Sequence, residues 1–273
     1  MELNKIRGEI VKCLDSVNLM SKNQVAYVKA GIHRDVVTQI DLEVHNLMKD
    51  FCSEVLPGTV FISEEEGIDR LTWRDLVTSN SSMIVDPLDG SNNLVCGLKE
   101  FGFMACMLAN GRFTESLVVL PNESQVVSWD KESKLTFTNT FQVQYSATAS
   151  TYLAYSPRLS PKALEARSEI FELLDAHSAG IYRYGSACIG LYRTLIGQHS
   201  TFIGIDMRPW DVVSFLPILV EGGLKVAYSA SQKEVTIVAS WNDDIFSMSK
   251  SLLANFFGDF QVFHNSDALV VTR

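Results

Sequence analysis

The sequence lacks the features of a membrane-embedded or disulfide-bonded protein. No apolar stretch approaches the ~20 residues that a membrane-spanning helix requires. The N-terminal segment MELNKIRGEI has no apolar core of the kind that a signal peptide needs. The five cysteines are odd in number, widely spaced and without a CxxC pair, so neither a disulfide framework nor a zinc site is expected. We therefore expect a cytoplasmic protein with no membrane partner.

Basic residues are also scarce. Lysine and arginine together number 23 against 32 aspartates and glutamates, which gives a formal net charge of −9 at pH 7. Proteins that bind a nucleic-acid backbone normally present a basic surface, so a nucleic-acid partner is not expected. The acidic balance does not exclude an anionic ligand, because bound metal cations can reverse the local charge.

Hydrophobic residues make up 47% of the 273 positions, which is enough for a large core. In the first half, apolar periodicity predicts helices over about residues 2–20 and 41–56. Short apolar runs then predict a mainly antiparallel sheet, with Asn110-Gly111 as a hairpin turn. This half reads as an α+β unit.

From about residue 146 onward, predicted strands and helices alternate, including a helix over 210–221 that ends at a Gly-Gly pair. No linker-like stretch separates the two halves. We predict an N-terminal α+β half over 1–145 with an antiparallel sheet, packed closely against a C-terminal α/β half over 146–273.

The segment DPLDGS combines acidic and turn-forming residues directly after the apolar run 83–85. The predicted strand delivers Asp86 at its end, and Pro87 turns the chain there because its φ is fixed. Asp86 and Asp89 can then face one ion, with the Leu88 carbonyl as a further donor. Oxygen-only donors suit Mg²⁺. The alternative is an ordinary turn, since Asp, Pro and Gly all favour turns.

Gly90 and Ser91 follow with backbone N–H groups and a hydroxyl that could hold an anion. Three other acidic sites lie near predicted element ends. The run Glu64–Glu66 follows a short apolar strand, and its alternative interpretation is a solvated face. Asp41 and Asp211 stand at predicted helix starts, where a carboxylate can serve simply as a cap or stabilise the helix dipole.

Taken in order, these segments resemble the inositol monophosphatase family of Mg²⁺-dependent, lithium-sensitive phosphatases. The similarity extends from about residue 28 to residue 226. The resemblance implies a layered αβαβα sandwich of the sugar-phosphatase type and a homodimer. The segments that support it are DVVTQID, FISEE, DPLDGSNN, GSA and PWDVVSFLPILVEGG.

The resemblance also implies roles for individual residues, with two or three Mg²⁺ ions as cofactors. The metal ligands would be Glu64, Asp86, the Leu88 carbonyl, Asp89 and Asp211. The catalytic residues would be Asp41 and Ser91, which orient and deprotonate the attacking water, and Glu65 as an outer carboxylate; Glu66 would be merely solvated. The substrate would contact Asp89, Gly90, Ser91, Gly185, Ser186, Ala187 and Asp206.

Three departures from the family pattern concern the substrate. Inositol-specific members carry a Glu seven residues before the Trp-Asp aspartate, and this position is Gly204 here; Asp206, two residues on, could substitute. An aromatic residue and a His of typical members are replaced near Leu94 and Cys96. Ser91 replaces Thr, as in the related fructose-1,6-bisphosphatases.

These observations predict a Mg²⁺-dependent phosphomonoesterase that hydrolyses a small phosphorylated polyol by attack of a metal-activated water. Inositol monophosphate is the first candidate substrate. The alternatives are 3′(2′),5′-bisphosphate nucleotidase or fructose-1,6-bisphosphatase-like activity. A hypothesis of another class is a non-catalytic, metal-binding relative that acts by binding a partner.

Overall fold

The computed structural model describes residues 2–16, 25–28, 36–66, 78–139, 150–156, 159–264 and 269. Within them, two six-stranded sheets alternate with three layers of helices. This arrangement confirms the predicted αβαβα sandwich. The boundary that we predicted near residue 146 and Asp35 of the DVVTQID segment lie outside the described residues.

The strands of the described residues are numbered along the chain. They are β1 (Val25–Val28), β2 (Val36–Thr38), β3 (Val60–Ser63), β4 (Ser81–Asp89), β5 (Gly102–Ala109), β6 (Arg112–Leu120), β7 (Gln125–Asp130), β8 (Lys134–Phe137), β9 (Ser150–Tyr155), β10 (Gly180–Tyr182), β11 (Thr201–Met207), β12 (Lys225–Ala230), β13 (Val235–Ser240) and β14 (Gln261–Val262). The helices are α1 (Leu3–Ser16), α2 (Gln39–Val55), α3 (Ser91–Val95), α4 (Pro161–His177), α5 (Ala187–Leu195), α6 (Pro209–Val212), α7 (Leu216–Glu221) and α8 (Asp243–Phe257).

The first large sheet has the order β3-β4-β5-β6-β7-β8, parallel only between β3 and β4. The second has the order β10-β9-β11-β13-β12-β14, and β9 runs parallel to both of its neighbours. The predicted hairpin turn joins β5 to β6. Asn110 and Gly111 both have positive φ, 51° and 69°, as a type I′ turn requires.

Each sheet is apolar on both faces, because successive side chains point to opposite sides of a strand. On β4, Met83 and Val85 pack against α1 and α2, whereas Ile84 faces the middle layer. The middle layer also contains α5, α6 and α7 and the inner face of the second sheet. Helices α4 and α8 cover the outer face of that sheet. The middle layer therefore joins the two halves of the chain in one core.

The helix predicted over 210–221 is broken into two short helices. Helix α6 ends at Val212, a 3₁₀ turn covers Val213–Phe215, and α7 begins at Leu216. Pro217 explains the break, because it has no N–H to donate and its ring would clash with the carbonyl four residues earlier. None of the helices in the described residues combines the length and the apolar composition needed to span a bilayer.

Candidate active site

The DPLD segment forms the end of β4, and not the turn that we expected after Asp86. Strand β5 pairs Met104 with Asp86. The next pair joins Asp89 to Gly102, so β4 contains one more residue than β5 between the two pairs. This extra residue is a β-bulge, and a bulge tolerates Pro87 because a residue there need not donate to the ladder. The bulge redirects the strand end that delivers both aspartates.

Asp86 lies buried within an acidic cluster that also contains Glu64, Asp89 and Asp211. Its Oδ1 accepts a hydrogen bond from the Leu88 N–H at 3.1 Å, and its Oδ2 has no partner among the described residues. Burial raises the pKa of Asp86 well above its ordinary value, and the carboxylates of Glu64, Asp89, Asp211 and Asp41 raise it further. Buried polar atoms nearly always have a partner. This oxygen is therefore a strong candidate to ligate a cation.

Asp89 connects the first sheet to the start of α5. Its Oδ2 accepts hydrogen bonds from the Ser186 hydroxyl at 2.5 Å and from the Cys188 N–H at 2.6 Å. Ser186 is also the N-cap residue of α5, since its hydroxyl accepts from the Ile189 N–H at 3.2 Å. Burial raises the pKa of Asp89 to about 7, although these hydrogen bonds lower it, and Glu64 adds to the rise. Two distant sequence motifs thus meet at one carboxylate.

Asp211 caps a short helix and lies among the other carboxylates of the cluster. In the first turn of α6, its Oδ2 accepts from the Arg208 N–H at 3.0 Å, which caps the helix start. Burial raises its pKa well above the ordinary value, and Glu64 and Asp89 raise it further. A cap that is also crowded by carboxylates can hold a cation, so the two interpretations are compatible.

The run Glu64–Glu66 forms a 3₁₀ turn after β3, and its members have different surroundings. Glu64 lines the cleft described below. Glu65 accepts a hydrogen bond from the Tyr27 hydroxyl at 3.3 Å, and Glu66 pairs with Lys49 at 2.7 Å. Glu65 is not among the cleft-lining residues, and Glu66 is ion-paired as well as exposed.

Asp41 and Ser91 are brought together by α2 and α3. The carboxylate of Asp41 forms a capping box with Thr38, accepting from the Thr38 N–H at 2.8 Å. Its other oxygen lies 2.6 Å from the Ser91 hydroxyl, which is also 2.8 Å from the Leu88 carbonyl. One hydroxyl proton can serve only one of these acceptors at a time. Burial raises the pKa of Asp41 to about 6 against the lowering effect of its hydrogen bonds.

A cleft of about 560 Å³ lies between the two large sheets and the starts of α3 and α5. The cleft gathers most of the predicted metal and substrate positions. Those that line it are Glu64, Leu88, Asp89, Gly90, Ser91, Gly185, Ser186, Ala187 and Asp211. Asp41 and Asp86 are not among the residues that line it.

The structure does not bring Asp206 to the cleft, which corrects our expectation. Its φ is 48°, and the pairing of β11 with β13 is irregular between Gly204 and Met207, so the alternation of side chains is broken there. Asp206 is buried, with its carboxylate 3.5 Å from the Ser160 hydroxyl, and Met207 lines the cleft instead. A Cβ on Gly204 would lie 2.9 Å from the side chains of Met207 and Ile237, so this position has no room for a side chain.

The sequence interpretation missed several residues of the cleft, among them Tyr155, Arg167 and Arg183. They come from β9, from α4 and from the segment after β10. No motif of the sequence marks them. Their proximity is a result of tertiary structure alone.

A metal ion suits the chemistry of this site. In the part of the chain that the structure describes, no three acidic, histidine or cysteine side chains already converge closely enough to coordinate an ion. The fit therefore rests on the donors: they are all oxygens, and Asp86 Oδ2 is buried without a partner. Three crowded carboxyls have raised pKa values, which indicates that a divalent cation would stabilise their ionised forms. Such donors suit Mg²⁺.

Tyr152 positions the segment around Ser186 through hydrogen bonds of its hydroxyl. The Tyr152 hydroxyl donates to the Ser186 carbonyl at 2.7 Å and accepts from the Tyr184 N–H at 3.1 Å. Gly190 of α5 lies against the ring, and a Cβ there would be 2.4 Å from ring carbons. The close approach of α5 to the second sheet therefore requires glycine.

We expect Gly190→Ala to lower the free energy of unfolding by about 1–3 kcal/mol, because the methyl group forces Tyr152 or α5 to move. Urea unfolding measures the change. Gly8→Ala is the matched control, since nothing lies within 4 Å of its Cβ in α1, and it should stabilise by about 0.5–1 kcal/mol. Equal stability of Gly190→Ala and the wild type would contradict the described packing.

The alternating layers and the acidic cleft place the chain in the class of layered phosphatases. The profile of the inositol monophosphatase family matches residues 2–254, and the chain belongs to this family. Related proteins include a fructose-1,6-bisphosphatase/inositol-1-monophosphatase from Thermotoga maritima, 26% identical over 203 residues that cover 73% of this chain and 74% of that protein. A putative Nus factor SuhB from Neisseria meningitidis is 21% identical over 196 residues, covering 69% of this chain and 72% of that protein.

Among solved structures, an IMPase/NADP phosphatase complexed with Mg²⁺ and phosphate has the same fold. The TM-score is 0.73 at 17% sequence identity, and the match covers 96% of this chain and 98% of that chain. This likeness supports the layered architecture independently of the sequence motifs.

Proposed function

We propose that the protein is a Mg²⁺-dependent phosphomonoesterase that transfers the phosphoryl group of a small phosphorylated polyol or sugar to water. The observation that supports this most is that Asp89 and Asp211, whose pKa values are raised, line one cleft with Glu64, Ser91 and the start of α5. Asp86, whose pKa is also raised, lies buried next to these carboxylates. Perturbed carboxyls gathered in a cleft are typical of functional sites.

The metal would be held by the residues that the family resemblance implies. When bound, Mg²⁺ would neutralise the charge of the phosphate, lower the pKa of a water molecule and stabilise the leaving oxygen. The ligands would be Glu64, Asp86, the Leu88 carbonyl, Asp89 and Asp211.

Asp41 and Ser91 would orient the attacking water and accept its proton. The 2.6 Å contact allows the hydroxyl to donate to Asp41 while its oxygen accepts from a water. The pKa of the Asp41 carboxyl, about 6, lies close to neutral pH. A general base works best when its pKa is near the pH at which the enzyme operates. Backbone N–H groups of Gly90 and Ser91 would hold the phosphate, with Ser186 and Ala187 on the other side.

The substrate is either an inositol monophosphate or a bisphosphate of a sugar or nucleoside. Inositol monophosphate was the first candidate, but Gly204 has no side chain and Asp206 lies outside the cleft lining, so neither supplies a carboxylate for ring hydroxyls. This observation favours the alternatives, which are fructose-1,6-bisphosphatase-like and 3′(2′),5′-bisphosphate nucleotidase activity. The Thermotoga relative is named as a fructose-1,6-bisphosphatase/inositol-1-monophosphatase. A cytoplasmic homodimer sensitive to lithium remains part of the proposal.

A partner-binding role is the second candidate, because some relatives are named as Nus factors. Phosphate release from purified protein decides between them. We expect release from at least one of myo-inositol 1-phosphate, fructose 1,6-bisphosphate and 3′-phosphoadenosine 5′-phosphate, dependent on Mg²⁺ and abolished by a chelator. Binding of Mg²⁺ without release from any of the three would favour the partner-binding role.

A further inference from the structure

Two arginines stand over one tyrosine at the border of the cleft. The guanidinium carbon of Arg183 lies 4.1 Å from the centre of the Tyr155 ring, and that of Arg167 lies 5.1 Å from it. Both distances fall within the range of cation–π contacts. Both guanidinium groups thus lie against one ring in a protein whose net charge is −9.

Neither arginine is neutralised by a carboxylate of the described residues. No acidic oxygen in those parts of the chain lies within 4.0 Å of Arg167 or Arg183. Two other arginines differ in this respect, since Arg193 pairs with Glu123 at 3.3 Å and Arg208 pairs with Glu234 at 3.3 Å. Two adjacent like charges without a counter-ion repel each other. An anionic ligand would relieve that repulsion.

Arg167 and Arg183 line two neighbouring cavities. Both side chains line the main cleft together with Glu64, Asp89 and Asp211. They also line a neighbouring pocket of about 540 Å³, which Tyr155 borders as well. One carboxylate, Glu172, lines that pocket and not the cleft. A molecule in the cleft can therefore present one group to the acidic cluster and another to the arginines.

We infer that Arg167 and Arg183 bind a second anionic group of the substrate, so that the preferred substrate carries a phosphate or a carboxylate besides the phosphate that is hydrolysed. The inference rests on the proposed function and narrows its substrate class. A guanidinium binds either group through two parallel N–H donors. Arg167 and Arg183 would act in substrate specificity and not in bond cleavage.

The test uses three six-carbon substrates that differ in the second group. Fructose 1,6-bisphosphate carries a phosphate, 6-phosphogluconate a carboxylate, and glucitol 6-phosphate a neutral hydroxyl. For the double variant Arg167→Gln/Arg183→Gln we expect KM to rise at least about tenfold for the preferred doubly anionic substrate, with kcat changed little. KM for glucitol 6-phosphate should stay within about twofold. The comparison of the first two substrates identifies which anion is bound.

The control for lost positive charge is Lys131→Gln, on an exposed turn between β7 and β8. It should leave KM for all three substrates unchanged. Arg183→Lys should recover only part of the effect, because an ammonium cannot donate in the bidentate manner. Thermal unfolding of each variant, equal to that of the wild type, establishes that the KM effect is not a folding defect.

A binding measurement separates this inference from the proposed function. Calorimetric titration with fructose 1,6-bisphosphate and 6-phosphogluconate in EDTA should show binding of at least one of them that the double Gln variant weakens about tenfold or more. Equal binding by wild type and variant, no binding by the wild type at millimolar ligand, or an equal rise in KM for all three substrates would overturn the inference. Failure to release phosphate from any substrate would refute only the proposed reaction.

Discussion

Replacing Asp89 with Asn should reduce Mg²⁺-dependent phosphate release by at least about a hundredfold, because changes even in residues that support metal ligands cost ten- to a hundredfold. The amide keeps an oxygen that accepts from the Ser186 hydroxyl and the Cys188 N–H, so the start of α5 retains its hydrogen bonds. The charge of one metal ligand is lost. Steady-state rates over a Mg²⁺ titration measure the effect.

The same variant should be no less stable than the wild type when divalent ions are absent. Burial raises the pKa of Asp89 to about 7, so ionisation of the wild-type carboxyl at neutral pH opposes folding. A neutral amide avoids that repulsion. Glu66→Gln is the control: its partner is the exposed Lys49, and both activity and stability should be nearly unchanged. Near-normal turnover of Asp89→Asn at ordinary Mg²⁺ would contradict the metal-ligand assignment.

The second large effect concerns pH. Without divalent ions, ionisation of Asp41 and Asp89 should lower the free energy of unfolding by about 2 kcal/mol or more as the pH rises from about 4 to 7. The buried His199, whose pKa is lowered to about 4, adds stability over the same range. The fall arises because Asp41 and Asp89 have folded-state pKa values of about 6 and about 7, above the ordinary value of an unfolded aspartate. On these two carboxyls the folded protein therefore binds more protons in this window, and the stability that they contribute at low pH is lost as they ionise.

Urea unfolding at several pH values in EDTA measures this fall. Asp41→Asn should flatten the profile by the contribution of that carboxyl, since the amide cannot titrate. Saturating Mg²⁺ at pH 7 should restore stability, because an ion that binds only the folded state shifts the equilibrium toward it. A profile of Asp41→Asn that runs parallel to the wild-type profile between pH 4 and 7 in EDTA would show that the pKa of this carboxyl is not raised as the structure describes.

Much of the fold could be predicted from local patterns. Apolar periodicity located α1, α2 and the principal strands, and Asn110-Gly111 indicated the hairpin between β5 and β6. The short edge strands β8, β10 and β14 were missed, because two to four residues give too little periodicity. The break before α7 could have been read from Pro217, which was overlooked within an otherwise apolar helical pattern.

Motifs also indicated most of the candidate site. Acidic residues directly after apolar runs identified Asp86 and Glu64, and predicted helix starts identified Asp41 and Asp211. Chain spacing could not show that the Ser91 hydroxyl lies 2.6 Å from Asp41, or that Ser186 donates to Asp89 from 97 residues away. Such contacts depend on how the sheets and helices pack against each other, and a local sequence pattern does not predict that packing.

The sequence by itself determined the types of element, the oxygen donors and the family resemblance, since these depend on residue identity and on near neighbours. Only the tertiary structure decided that β4 bulges after Asp86, that Asp206 is kept out of the cleft, and that Arg167 and Arg183 meet over Tyr155. The physical reason is that a bulge changes side-chain direction without a strong sequence signal. A binding surface, likewise, is assembled from strands and helices whose neighbours are set by packing of the whole core.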